Sequence, residues 1–225
     1  MRSIGKNAQT FYQKIYDLCY KTFIVYKKIS MKCFIFLSIL IMSGLVVEKI
    51  MSDVEKPDYD ILSSEGNIEI RAYKPLVIAE VLVKGQRKES ISEGFRLLAD
   101  YIFGNNESNK KISMTAPVEQ TRQKNIKEEE IWKVNFVMPR RYTIETLPKP
   151  MNPRVKFKEV PFGTYVVIRF SGINDYENLD KHQKYLESYI QEKGLLVSDF
   201  PKYAFYDPPW TDPSIRRNEI IFKVE

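Results

Sequence analysis

The chain has 225 residues, 44% hydrophobic and 28% charged, enough for one packed domain and an appendage. Its formal charge of +6 arises in residues 1–32, where seven basic side chains face one acid, Asp17; the rest of the chain balances 28 basic against 28 acidic residues, 35 less seven and 29 less one. A nucleic-acid-binding domain carries a basic face of its own, so this distribution argues against nucleic acid as a partner.

Both cysteines, Cys19 and Cys33, lie near the N-terminus, which leaves the globular part without a disulfide framework, a zinc cluster or a Cys-x-x-Cys-His haem attachment. That part holds the only histidine, His182, so metal sites of two or three histidines are excluded. A histidine-dependent hydrolase would have to work through that one imidazole.

In chain order, the first feature is the basic stretch 1–32, followed by an apolar segment placed at 33–51. Its core, Cys33 to Val47, is 15 uncharged residues. That is short of the ~20 apolar residues of a spanning helix and of its ~17 lower limit, and within the ~7–15 of a signal-peptide core. Lys32 can snorkel, and Ile50 and Met51 extend the run, so a short signal anchor fits. The charge asymmetry across it places the N-terminus in the cytoplasm and the domain, residues 52–225, outside. Met31-Lys32 followed by the run is also the shape of a cleaved signal peptide, under which residues 1–30 are an over-long gene start, although Ser43 and Gly44 are the nearest small residues and make no convincing cleavage site. Either way the domain is expected to be exported, as a membrane-anchored or secreted protein.

Within the domain, Ile68, Ile70 and Ala72 alternate with Glu69, Arg71 and Tyr73, the period of a half-buried strand. Pro75 breaks it, and Val77 to Val83 reads as a second strand. The period then changes to helical. Ser90 and Glu93 form a capping-box pattern, Ile91, Phe95, Leu98 and Ile102 share one face, and Gly104 supplies a stop. "KISMTAPVEQ" reads as a strand with Ile112, Met114, Ala116 and Val118 on one face. Pro117 lacks an N–H, which puts that strand at an edge or gives it a bulge. "IWKVNFVMP" is the next strand. After "LPKPMNPRV" the order repeats: the strand "GTYVVIRFSG", a helix with Asn174 and Glu177 as cap pair and Gly194 at its end, then the strands "KYAFYD" and "NEIIFKV". Each half reads strand–helix–strand–strand, so the expected fold is α+β: a distorted antiparallel β-barrel with two helices, built from a duplicated unit.

The candidate binding residues follow from this frame. His182 falls within the apolar arc of the second helix, between Leu179 and Tyr189, where its neutral imidazole suits an axial haem-iron ligand. A lone histidine is more often a boundary residue bonded to a backbone carbonyl or to water. Met114 and Tyr101 are further groups that meet iron, although alternation places Met114 in the core. Of the basic pairs, Lys110-Lys111 and Arg140-Arg141 read as solvated or locally ion-paired. Arg216-Arg217 stands at the end of the long stiff loop "YDPPWTDPSI", where arginine's fork suits ligand carboxylates.

"IEIRAYKP", "FRLLADYIFGNN", "KISMTAPV", "VNFVMPRRYT", "RFSG" and "YDPPWTDPSIRRNEI" resemble, in order and spacing, the SOUL haem-binding-protein family, over roughly Tyr59 to Val224. The resemblance implies a duplicated, distorted β-barrel with two helices and non-covalent binding of haem or a related tetrapyrrole in an apolar cleft beside a helix. It implies similarity to the small-molecule-binding domains of bacterial regulators, and no axial ligand common to the family. In that setting Phe95, Leu98 and Ile102 would line the cleft, Trp210 would offer it a flat wall, and Arg216 or Arg217 would meet the propionates. The alternative for the loop is structural, with Trp210 plugging the barrel end and the arginines stapling the loop to the sheet. Three functions follow as expectations: a binding module for haem transport, buffering or sensing; a tetrapyrrole-modifying enzyme, for which no catalytic constellation stands out; and a cleft domain for another apolar small molecule.

Overall fold

A computed structural model describes residues 54–123 and 130–225. The basic stretch 1–32 and the apolar segment 33–51 lie outside the described residues, and among the described ones no helix is long and apolar enough to cross a membrane.

Two bent strands organise the domain. β2 (Ile68–Tyr73) runs through Lys74-Pro75 into β3 (Leu76–Lys84), and β6 (Lys156–Val160) runs through Pro161-Phe162 into β7 (Gly163–Phe170). Their antiparallel register continues without a slip from Ile68↔Ile168 to Tyr73↔Gly163, and again from Leu76↔Val160 to Glu80↔Lys156. Prolines have no N–H to give a ladder, so the break falls at Pro75 and Pro161. The break also changes side-chain phase. Ile68 and Ile70 face the helices before it, whereas Ala79, Val81 and Val83 do so after it.

Between these strands lie α1 (Arg87–Ile102), β4 (Val118–Gln123) and β5 (Ile131–Val137), and after them α2 (Tyr176–Glu192), β8 (Lys202–Phe205) and β9 (Asn218–Lys223). With β1 (Tyr59–Glu65) the sheet order is β1-β2-β7-β9-β8-β4-β5-β3-β6, antiparallel throughout. β4 and β8 pair at the centre, and the crossing of the bent strands brings the sheet ends together, curling it into a distorted barrel. α1 packs on β3 and β5, α2 on β7 and β9, both on the same face. The duplication is present as β2-β3-α1-β4-β5 and β6-β7-α2-β8-β9, with β6 in the second half and β1 ahead of the first as the strands not expected. β6 escapes the pattern because Lys156, Lys158 and Glu159 are exposed on an edge strand, and β1 because most of it faces solvent.

Several local expectations are corrected. The N-cap of α1 is Gln86, which offers no side-chain cap bond, and Ser90 is buried inside the helix. The N-cap of α2 is Asp175, whose carboxylate accepts from the Asn178 N–H. The buried face of α1 runs through Gly94, Leu97, Leu98, Tyr101 and Ile102, leaving Phe95 42% exposed. Gly94 sets that rotation: a Cβ there would lie 2.6 Å from Val134 Cγ2, so the helix approaches β5 where only hydrogen fits. Residues 111–117 are not in a strand, so alternation fails there and Met114 is exposed while Ile112 is buried. β4 starts one residue after Pro117, past a cis Ala116–Pro117 bond, and is paired on both sides rather than at an edge.

Candidate functional site

Where the bent strands lose their ladder, a hollow of about 650 Å³ opens. Leu76, Val77, Val137, Met138, Val160 and Phe162 give it an apolar lining, with Pro57, Pro75 and Pro161 around them. Phe162 is exposed because it occupies one of the unpaired positions. Residues 55–58 strap one side. The Ala116 N–H donates to the Glu55 carbonyl and the Lys74 N–H to that of Asp58. Arg140 closes the strap with Nη1 2.6 Å from Asp58 and Nε 3.2 Å from Glu55, so its charge is spent locally, as its basic pair implied. Lys56 and Lys74 are exposed on the same rim, alongside Glu159.

A second hollow, about 590 Å³, lies beside the loop that joins β8 to β9, lined by Glu69, Arg169, Phe170, Ser214, Ile215 and Arg216 among others. The loop is tied by its own groups. Arg216 Nε donates to the Thr211 carbonyl at 2.8 Å and Nη2 to that of Pro209 at 2.6 Å. The Arg217 N–H donates to Asp207, and the Gly172 N–H reaches the Pro213 carbonyl. Trp210 is 79% exposed and plugs nothing.

The sheet face away from the helices carries a charged core. Arg71 and Glu219 are buried together, with Glu69, Tyr73, Tyr206 and Arg217 around them. Burial works against the Arg71 charge, but hydrogen bonds and attraction from Glu219 outweigh it and hold the guanidinium above its ordinary range. Arg217 is held up in the same way, with Glu219 offsetting its burial. Its side chain lies over the Tyr206 ring at 3.9 Å and is engaged with Glu219 and Tyr59.

His182 is half-buried on α2, stacked on Phe170 with ring centroids 4.1 Å apart. Its Nδ1–H donates to the Asn178 carbonyl at 2.7 Å, which leaves Nε2 with a lone pair. His182 lines neither hollow, although Phe170 lines the second. Leu98, Tyr101 and Ile102 are packed into the α1 core, where the Tyr101 hydroxyl donates to the Pro148 carbonyl. The structure therefore brings Arg216 and the Phe170–His182 stack to one side, and leaves Phe95, Leu98 and Ile102 apart from them. The larger hollow escaped sequence reasoning because its lining comes from five separate segments with no motif. Its one local sign was the proline at each strand break.

The duplicated sheet, with both helices on one face and an apolar hollow at the crossing of the halves, places the domain among α+β barrels with a recess of small-ligand size. Residues 54–223 match the family described as SOUL heme-binding protein, and the chain belongs to that family. Among solved structures it is similar to the EcmrR C-terminal domain, at 16% identity and a TM-score of 0.54, covering 74% of this chain and 98% of that one. It is also similar to a hydrolase from Listeria innocua, at 12% identity and a TM-score of 0.52, covering 73% and 94%. At these identities the likeness is one of fold. Against curated protein sequences the chain finds no match.

Proposed function

We propose that the domain binds haem or a related tetrapyrrole non-covalently, in the hollow where the bent strands cross. The observation that carries this is the recess itself. Its volume suits a compact organic ligand, its lining is apolar as a porphyrin face requires, and Lys56 and Lys74 stand on the rim where two carboxylates would emerge. The residues present thus fit the group, and membership of a haem-binding family supports the same reading. Leu76, Met138 and Phe162 would hold the macrocycle and the two lysines its acidic edge. We also propose export or membrane anchoring through residues 33–51, supported by the apolar run and the basic stretch before it. The role would then be to hold or pass on a tetrapyrrole outside the cytoplasm.

The test is a hemin titration of the purified protein followed at the Soret band, beside Phe162→Asp. Saturable one-to-one binding, weakened about tenfold or more by a charge in the apolar lining, is expected. An unsaturable spectrum, or equal affinity in the variant, would remove the hollow from consideration. Alkaline carbonate extraction of membranes tests the anchor, which requires the chain to stay with the pellet.

A further inference from the structure

Arg87, the first residue of α1, is the half-buried arginine whose guanidinium faces no carboxylate among the described residues. Nη2 donates to Gln120 Oε1 at 2.9 Å and Nη1 reaches the Asn174 carbonyl at 3.4 Å, both neutral acceptors. The contrast with Arg71 and Arg217, each bound to Glu219, is plain. Rings of Trp132, Tyr203 and Phe205 lie 5.6–5.9 Å from its Cζ, which supplies cation–π attraction but no counter-charge. Burial draws its pKa below the ordinary range, and only the Tyr203 hydroxyl acts against that.

The polar atoms left over here have one character. Of the four buried side-chain atoms without a hydrogen-bond partner among the described residues, Glu80 Oε2 stands elsewhere, 4.0 Å from Lys133 Nζ. The other three are Arg87 Nε and Trp132 Nε1, both obligate donors, and Ser90 Oγ, which donates or accepts. Trp132 is 5% exposed, so its indole N–H has lost water without gaining an acceptor. All three belong to the first turn of α1 or to the ring beneath it, and Gln86 provides no side-chain cap for the N–H groups of that turn. What the cluster lacks is an acceptor, and the uncompensated cation gives that acceptor a sign.

We infer that Arg87, Trp132 and the open first turn of α1 form a binding site for an oxyanion, the carboxylate or phosphate group of a small molecule. The site stands apart from the hollow at the strand crossing, and does not depend on that hollow binding haem. An oxygen here would accept from Arg87 Nε and the Trp132 indole while sitting at the positive end of a 16-residue helix.

The chain has two tryptophans, so Trp210→Phe, at a solvent-exposed position, leaves Trp132 as the reporter. The full chain in this background is titrated with inorganic phosphate and with acetate, at ionic strength held constant by chloride. A saturable change in indole emission with one of them is expected, together with a rise in melting temperature. Arg87→Gln should weaken it about tenfold or more with an unchanged circular dichroism spectrum. Should that variant not fold, Arg87→Lys keeps a charge but removes Nε and should bind several-fold more weakly. No saturable response to either anion, or equal affinity in the lysine variant, overturns the inference. Hemin added to the anion-loaded protein separates the sources: displacement assigns the oxyanion to a haem propionate, and coexistence to a separate small acid. The readout before hemin is added involves no haem, so failure of the tetrapyrrole reading would not be mistaken for failure of this one.

Discussion

Arg71 and Glu219, 148 residues apart in the chain, meet in a two-pronged ion pair with Nη1–Oε2 at 2.9 Å and Nη2–Oε1 at 3.1 Å. Their side chains are 1% and 0% exposed. The pair spans from β2 past β7 to β9, so it ties the crossing of the bent strands to the C-terminal strand. Breaking a buried pair costs about 3–5 kcal/mol when the survivor is left alone, and the loss of Arg71 falls towards the lower end because Glu219 keeps Arg217 and Tyr206. Arg71→Met is therefore expected to lower unfolding free energy by that order in urea. The double variant Arg71→Met, Glu219→Leu should recover only part of it, because Arg217 loses Glu219 as well.

The tyrosines around this pair set an alkaline limit. Burial, then repulsion from Glu219, raises the pKa of Tyr73, and the same two causes raise that of Tyr206; burial alone leads for Tyr101. A phenol raised in the folded state stabilises the fold fully below its unfolded value near 10, and that contribution is lost as pH climbs towards the folded value. Above pH ~10 the unfolded chain ionises first. The protein should thus lose stability steeply between about pH 10 and 12. Absorbance at 295 nm should rise in step with the loss of circular dichroism. Smooth ionisation of all the tyrosines with the fold intact would contradict the burial of these three.

Arg71 also marks where the sequence stops being legible. The alternation that reveals β2 assigns Arg71 to solvent, since periodicity sorts by residue type and a charged residue reads as outward. Its partner is set by strand order, which no local pattern carries. The duplication was readable because each half repeats a change from period 2 to period 3.6, and Gly104 and Gly194 follow the last helical residues as expected. The face of α1 was not readable, because Gly94 acts by being small rather than apolar. The larger hollow was not readable either. Pro75 announces a break in one strand, but only the pairing of β2–β3 with β6–β7 puts Pro161 opposite it. Arg87 gave no signal at all, as a charge that meets no carboxylate among the described residues is a property of the neighbourhood.

The β8–β9 loop was expected to stand as a wall or a plug, and its bonds separate its residues by role. Trp210 is exposed, while Arg216 fastens Pro209 and Thr211. Trp210→Ala should change stability by less than about 0.5 kcal/mol. Arg216→Ala removes two charge-assisted bonds to carbonyls at a partly open site and should cost about 1 kcal/mol. Limited proteolysis between Asp207 and Ile215 should quicken in the arginine variant alone. Faster cleavage in the tryptophan variant would assign the ring a packing role that its exposure denies.

His182 is the remaining case, because its two nitrogens point to different readings. Nδ1–H is committed to the Asn178 carbonyl, and the ring is held flat on Phe170 at an interplanar angle of 10°. That arrangement fixes one tautomer of the neutral ring and leaves Nε2 as its acceptor nitrogen, as an iron ligand would need. It is equally what a side chain needs to fill the gap between α2 and the end of β7. Position separates the two, since His182 lines neither hollow while Phe170 lies between it and the second. If haem occupies the crossing, His182→Ala should leave the Soret maximum and the hemin affinity unchanged. The same substitution should lower stability by about 1–2 kcal/mol, from the lost stack and hydrogen bond. A shifted Soret band with unchanged stability would move the ligand from the crossing to the α2 side, and would make the histidine its axial partner.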